Sequence, residues 1–126
     1  MSKKPAGKLI FSTSDPQQRR VEFYTDTWEH IKKRHPEVKG GTTRYPDLKG
    51  IRTIRSTVEA PIMITRDETR NALTYADFTY SGLYFKVITE ISDKLNVCIV
   101  NTAYITPDQP KGNVIWQRST AKRQKS

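Results

Sequence analysis

Residues 83–105, LYFKVITEISDKLNVCIVNTAYI, decide the fold. Two runs rich in β-branched and aromatic residues, Leu83–Ile91 and Leu95–Ile105, flank a short polar turn at residues 92–94. Such residues favour the pleated, half-buried surface of a sheet, and a polar turn between two runs of this kind favours antiparallel pairing. The stretch therefore predicts a long β-hairpin.

Alternation along a strand sends successive side chains to opposite faces. A lysine, a threonine and two tyrosines are expected to converge on one side of this hairpin. The side chains that strict alternation assigns to that side are, from the first strand, Tyr84, Lys86, Ile88 and Glu90 and, from the second, Cys98, Val100, Thr102 and Tyr104.

The chain before this hairpin predicts two helices and four shorter strands. Asp26 and Glu29 have the spacing of a capping box, and Pro36 disfavours helical geometry in the residue before it. A first helix is therefore expected from Thr25 or Asp26 to His35. Apolar spacing predicts a second helix over residues 47–58, and the strands are expected at residues 9–13, 20–25, 62–65 and 73–80.

This order of elements predicts the fold class. Helices that are followed by an antiparallel meander are typical of α+β proteins. We expect two N-terminal helices packed on a four-stranded, or slightly larger, antiparallel sheet.

Charge is distributed unevenly along the 126 residues, which carry a formal net charge of +9. The first eight and the last nine residues hold seven of the 22 lysines and arginines and no acid. Residues 1–8 and 119–126 are therefore expected to be flexible basic tails around a single domain at residues 9–118. Such tails attract phosphate polyanions without sequence specificity; the alternative is that they only aid solubility.

Several classes of protein are disfavoured by what the sequence lacks. The longest apolar run, Val97–Val100, is too short for a transmembrane helix of about 20 residues or a secretion signal, and one cysteine, Cys98, cannot form an intramolecular disulfide. His30 and His35 differ by about 140° around a helix, so they do not form a metal pair on one face. We expect a cytoplasmic protein without a metal or cofactor.

The remaining option is acid–base chemistry by histidine with cationic and hydroxyl partners, and RNA is a substrate that can be cut in this way without a metal. The 2′-hydroxyl attacks the adjacent phosphorus while a base takes its proton and an acid protonates the leaving oxygen. Histidine suits both proton steps, and lysine or arginine suits the phosphate charge. Each candidate also has an ordinary interpretation: His30 as an exposed helical residue, His35 as a complement to the helix dipole, and Lys86 as a solvated strand residue.

Residues 25–38, TDTWEHIKKRHPEV, resemble the W-x-H-I-x-x-R-H-P-E helix signature of phage-associated nuclease-like domains. These domains are grouped with the barnase, EndoU, colicin and RelE ribonucleases. The similarity continues more weakly at residues 84–87 and 102–104, and it covers residues 20–106.

The resemblance implies metal-independent cleavage of RNA, in a toxin-like role, at a site between the first helix and the sheet. It implies catalytic roles for His30, His35, Lys86 and Thr102, with substrate binding by Arg34 and by the neighbouring tyrosines Tyr84 and Tyr104.

The choice between the two histidines stays open. His35 shares a helix face with Trp28 and Ile31, which favours partial burial and a structural role, whereas His30 shares its face with Arg34 and is freer to reach a phosphate.

Expected partners are RNA and an acidic inhibitor or antitoxin, because a basic protein attracts both. The alternatives are a non-catalytic nucleic-acid-binding module and a phage-related interaction protein of the same fold.

Overall fold

The computed structural model describes residues 7–39, 48–79 and 82–118. Most of the predicted N-terminal basic tail (residues 1–8) and all of the C-terminal one (residues 119–126) therefore lie outside the described residues. The elements, in chain order, are β1 (Leu9–Ser14), β2 (Arg20–Tyr24), α1 (Thr25–Arg34), a 3-10 turn (Pro36–Val38), α2 (Leu48–Glu59), β3 (Met63–Asp67), β4 (Ala72–Phe78), β5 (Tyr84–Ser92), β6 (Val97–Thr106) and β7 (Asn113–Gln117).

The strands of the described residues form one seven-stranded mixed sheet in the order β1-β2-β6-β5-β4-β3-β7. Neighbouring strands are antiparallel except β2 and β6, which are parallel. The predicted arrangement of two N-terminal helices on a four-stranded antiparallel sheet is therefore wrong. The fold is α+β, but β1 and β2 precede the helices and β7 extends the sheet. Periodicity locates strands without showing which of them pair, and the β2–β6 pair joins segments far apart in the chain.

Helix α1 follows β2 without a loop. Tyr24 is its N-cap and no side chain caps the helix, so the predicted capping box is not formed; Glu29 instead pairs with Lys32 (3.0 Å). The ring of Trp28 packs edge-on against Phe23 of β2, with ring centroids 6.0 Å apart. This contact holds α1 against the strand from which it emerges.

Both helices bury their apolar side chains against one face of the sheet, here called the core face. Trp28 and Ile31 of α1 and Ile54 and Val58 of α2 belong to one buried cluster with strand residues. The strand residues in that cluster include Val21, Phe23, Leu73, Tyr75, Val87 and Val100. Cross-strand partners point to the same side, so Ala76, Lys86 and Tyr104, which are paired in register, occupy the opposite face, called the open face.

A bulge at Asn101 changes the face of half of β6. Ile88 pairs with Thr102, but the next residue, Thr89, pairs with Val100, so one residue of β6 is left without a partner across the ladder. The prediction that Cys98 and Val100 share a face with Thr102 is therefore wrong. Cys98 and Val100 are buried on the core face, whereas Thr102 lies on the open face.

A buried carboxylate ties the β1–β2 loop to the middle of the sheet. The side chain of Asp15 is fully buried and accepts hydrogen bonds from the backbone N–H groups of Gln17 (2.8 Å) and Arg19 (2.9 Å), from the Arg19 guanidinium (2.7 Å) and from the Tyr75 hydroxyl (2.8 Å). Burial raises the pKa of Tyr75, which keeps its hydroxyl protonated and able to donate.

We expect Asp15→Ala to lower the free energy of unfolding by about 2–4 kcal/mol, because it leaves buried donors without an acceptor. Asp67→Ala is the matched control: its carboxylate also caps a turn, at the Arg70 N–H, but it is 42% exposed and should cost less than about 1 kcal/mol. Urea denaturation measures both. Equal losses for the two variants would contradict the role given to Asp15.

Candidate active site

Lys86 is a buried lysine on the open face of β5. It is only 5% exposed. The ordinary interpretation of the sequence, a lysine in contact with solvent on a strand, is therefore wrong for Lys86. Its Nζ donates a hydrogen bond to the carbonyl oxygen of Gln109 (3.1 Å). Burial lowers the pKa of Lys86; the charge of Asp108 opposes this effect and that of Lys111 adds to it.

The cover over Lys86 is the connection between β6 and β7, residues 107–112, here called the strap. Thr65 of β3 donates a hydrogen bond from Oγ1 to the carbonyl of Lys111 (2.8 Å). The strap ends at Gly112, whose φ is +104°, and a Cβ at that position would lie 2.5 Å from the carbonyl oxygen of Arg66. Only glycine allows this close approach. Gly112 and the hydrogen bond from Thr65 therefore fix the strap across the open face.

The ring of Tyr104 is contacted by both Lys86 and His35. The Lys86 Nζ lies 5.9 Å from the centroid of the Tyr104 ring, and the His35 ring lies 5.3 Å from it at an interplanar angle of 31°. Lys86 and Tyr104 are direct cross-strand partners, whereas His35 arrives from the end of α1. Three separate elements thus contribute to one cluster, called the His35–Tyr104–Lys86 cluster.

His35 is held by the way α1 ends. It is the C-cap of the helix, and its backbone N–H donates to the carbonyl of Ile31 (2.7 Å). Pro36 then starts the 3-10 turn, and the carboxylate of Glu37 lies 3.7 Å from Nδ1 of His35. The side chain stays 34% exposed, so the imidazole is oriented by neighbours and remains open to a ligand.

The other predicted site residues fall into two groups. Thr102 and Tyr84 share the open face with Lys86, since Thr102 pairs with Ile88 and Tyr84 pairs with Thr106. His30 and Arg34 are exposed on α1, and within the described part of the chain no hydrogen bond, ion pair or ring contact joins them to the cluster. The structure therefore brings together His35, Lys86 and Tyr104, with Thr102 and Tyr84 flanking them.

A cavity of about 280 Å³ opens beside Lys86. Strand residues of the open face, among them Ala72, Thr74 and Ile88, line it. Arg70 from the β3–β4 turn and Lys111 from the strap add two cations, and the carboxylates that line the cavity with them belong to Asp67 and Asp108. This volume is at the small end of ligand pockets and suits one phosphate group with part of a nucleotide.

The sequence did not reveal the loop residues of this cavity. Arg70, Asp108 and Lys111 lie in a turn and in the strap, where alternation assigns no face. The sequence does show a short apolar run at residues 114–116. In the structure this run pairs with β3, and this pairing places the strap over Lys86. That pairing is a long-range contact without a local signal.

The described residues contain no group of three or more His, Cys, Asp or Glu side chains that could hold a metal ion. In the same part of the chain, neither helix is long and apolar enough to cross a membrane. What the cluster offers chemically is a titratable imidazole, a buried ammonium and hydroxyl groups, which is a donor set for proton transfer and for binding an anion.

We expect the stability of the wild type relative to Lys86→Met to rise as the pH approaches 10.5, the ordinary pKa of lysine. Burial lowers the pKa of Lys86 in the folded protein, so in this range the unfolded chain binds more protons than the folded one, and raising the pH favours the folded state. Urea unfolding of both proteins between pH 7 and pH 10 measures the difference. A difference that is constant or falls with pH would contradict the burial of the ammonium.

In comparisons with protein-family models, curated proteins and solved structures, nothing matched this chain. The similarity of residues 25–38 to the phage-associated nuclease-like domains therefore stays a prediction, and the case for a function rests on the His35–Tyr104–Lys86 cluster.

Proposed function

We propose that this protein is a metal-independent endoribonuclease. The observation that carries the proposal is the shared contact of His35 and Lys86 with the Tyr104 ring, at 5.3 Å and 5.9 Å from its centroid. An imidazole and an ammonium thus both contact the Tyr104 ring, which lines the cavity beside Lys86. Cleavage of a phosphodiester needs a group that moves protons and a cation that binds the phosphate.

The reaction is a transesterification within the RNA chain. The 2′-oxygen forms a bond to the adjacent phosphorus, the bond from phosphorus to the 5′-oxygen of the next nucleotide breaks, and the products are a 2′,3′-cyclic phosphate and a 5′-hydroxyl. One proton leaves the 2′-hydroxyl and one is gained by the 5′-oxygen, so no metal, water or cofactor is consumed in this step.

His35 transfers protons in this scheme. Glu37 faces Nδ1, so Nε2 is the nitrogen that exchanges a proton with the substrate. A carboxylate beside one imidazole nitrogen fixes the orientation of the ring and leaves the other nitrogen for the substrate. The Tyr104 ring supports the face of the imidazole. General acid–base catalysis of this kind contributes about 10²–10⁴-fold in rate.

Lys86 stabilises the charge on the phosphorane. An ammonium carries three N–H donors, and in the free protein one of them is bonded to the Gln109 carbonyl. A buried cation has a stronger electrostatic effect than an exposed one, because the surroundings screen it less. Arg70 and Lys111 at the rim of the cavity add further attraction for the phosphate.

The overall charge of +9 fits a polyanionic substrate and an acidic inhibitor, with which toxin-like ribonucleases are controlled. Because the attraction between a basic protein and RNA depends on counterion release, binding weakens steeply with salt. The alternative, a module that binds nucleic acid without cutting it, is separated from the proposal by the cleavage assay.

The test is cleavage of a labelled RNA in EDTA by the wild type and three variants. We expect His35→Ala and Lys86→Met to lose about a hundredfold or more in rate, and His30→Ala, the matched histidine control on the same helix, to stay within twofold. Unfolding curves confirm that each variant is folded.

Loss of activity in His30→Ala with full activity in His35→Ala would reverse the assignment of the histidine. Binding of RNA by the wild type without any cleavage would reject the nuclease and leave a binding module.

A further inference from the structure

Phe78 is an aromatic ring that the fold leaves in solvent. It is 59% exposed, and every other Phe, Tyr or Trp that the structure describes is buried or half-buried. It stacks on Tyr84, with ring centroids 5.4 Å apart and an interplanar angle of 32°. The half-buried Tyr84 thereby supports one face of the Phe78 ring.

This ring pair lies next to the proposed phosphate site. Phe78 and Tyr84 are cross-strand partners, and the next pair on the same face is Ala76 with Lys86. Two residues along a strand span about 7 Å, so the ring pair and Lys86 occupy adjacent rows of the open face. Only one sugar unit of a nucleotide chain is needed to bridge rows at that separation.

We propose that Phe78 and Tyr84 form a stacking platform for one nucleobase of single-stranded RNA, beside the phosphate that Lys86 binds. This inference rests on the proposed function and adds the substrate class, because a base that is paired in a duplex must first be unpaired and unstacked, which costs a few kcal/mol. Exposed aromatic rings on sheets are a general means of holding unpaired bases.

The surroundings favour a base over an apolar partner. On the open face the neighbours of the platform, Lys86 and Thr106, are polar. Phe78 also lines a cavity of about 510 Å³, together with Val38, Phe85 and Ile105. An exposed ring pair with a cation and a hydroxyl group on one side matches a flat base with an attached phosphate. A protein or lipid surface would require a larger continuous apolar patch.

The experiment measures binding of a fluorescent single-stranded DNA oligonucleotide, which lacks the 2′-hydroxyl and is not cut, and of the same sequence as a duplex, in EDTA at one salt concentration. Phe78→Ala should weaken binding of the single strand by roughly 5- to 150-fold and change duplex binding by less than twofold. Phe78→Leu, which keeps apolar volume without an aromatic face, should lose most of the same affinity, and Phe78→Trp should retain it.

The matched control is Leu95→Ala. Leu95 is 50% exposed but lies in the turn between β5 and β6, at the end of β5 away from the platform. It should bind both oligonucleotides like the wild type.

Wild-type affinity in both Phe78→Ala and Phe78→Leu, or equal losses for single strand and duplex, would overturn the platform. Dependence of single-strand binding on Phe78 without cleavage of RNA would keep the platform and reject the nuclease. Cleavage of RNA together with single-strand binding that does not depend on Phe78 would keep the nuclease and reject the platform.

Discussion

The antiparallel pairing of β5 with β6, interrupted once at Asn101, is the constraint on which the rest of the structure depends. A shift of one residue in a strand moves every following side chain to the other face. The bulge performs such a shift inside β6, so that Val100 on one side of it and Ala103 on the other both enter the core. The same shift sends Thr102 and Tyr104 to the open face beside Lys86. The bulge at Asn101 therefore buries apolar side chains on both sides of it and also places Thr102 and Tyr104 next to Lys86.

The burial of Lys86 depends on β7, the strand at one edge of the sheet. A lysine is placed in a poorly solvated position only where its ammonium has a partner, and here the partner is a carbonyl of the strap. The strap crosses the open face because β7 pairs with β3. The edge strand thus shapes the candidate site, since without it Lys86 would be an ordinary solvated residue of a strand.

The sequence allowed the prediction of local elements much better than of their assembly. The hairpin of β5 and β6 and the end of α1 before Pro36 follow from turn chemistry and from the conformational restriction before proline. Pairing of β2 with β6 and of β7 with β3 does not, because sequence periodicity carries no information on partners. The bulge was missed for the same reason: Asn101 fits the alternating pattern, and only the burial of residues on both sides of it requires the extra residue.

For the site, the polar face of β5 was visible in the sequence but the role of each histidine was not. His35 shares a helix face with Trp28 and Ile31, and that pattern favoured a structural role. In the structure α1 ends at the edge of β6, so the same face that packs Ile31 into the core delivers His35 to Tyr104. A helical pattern shows which side chains lie together; it does not show which strand the helix end will meet.

The most direct test of the central claim is the chemical nature of the ends that the protein leaves on a defined RNA in EDTA, determined by mass spectrometry. The mechanism proposed for the His35–Tyr104–Lys86 cluster predicts fragments that end in a 2′,3′-cyclic phosphate and begin with a 5′-hydroxyl. Fragments that begin with a 5′-phosphate, or an RNA that remains intact, would contradict it.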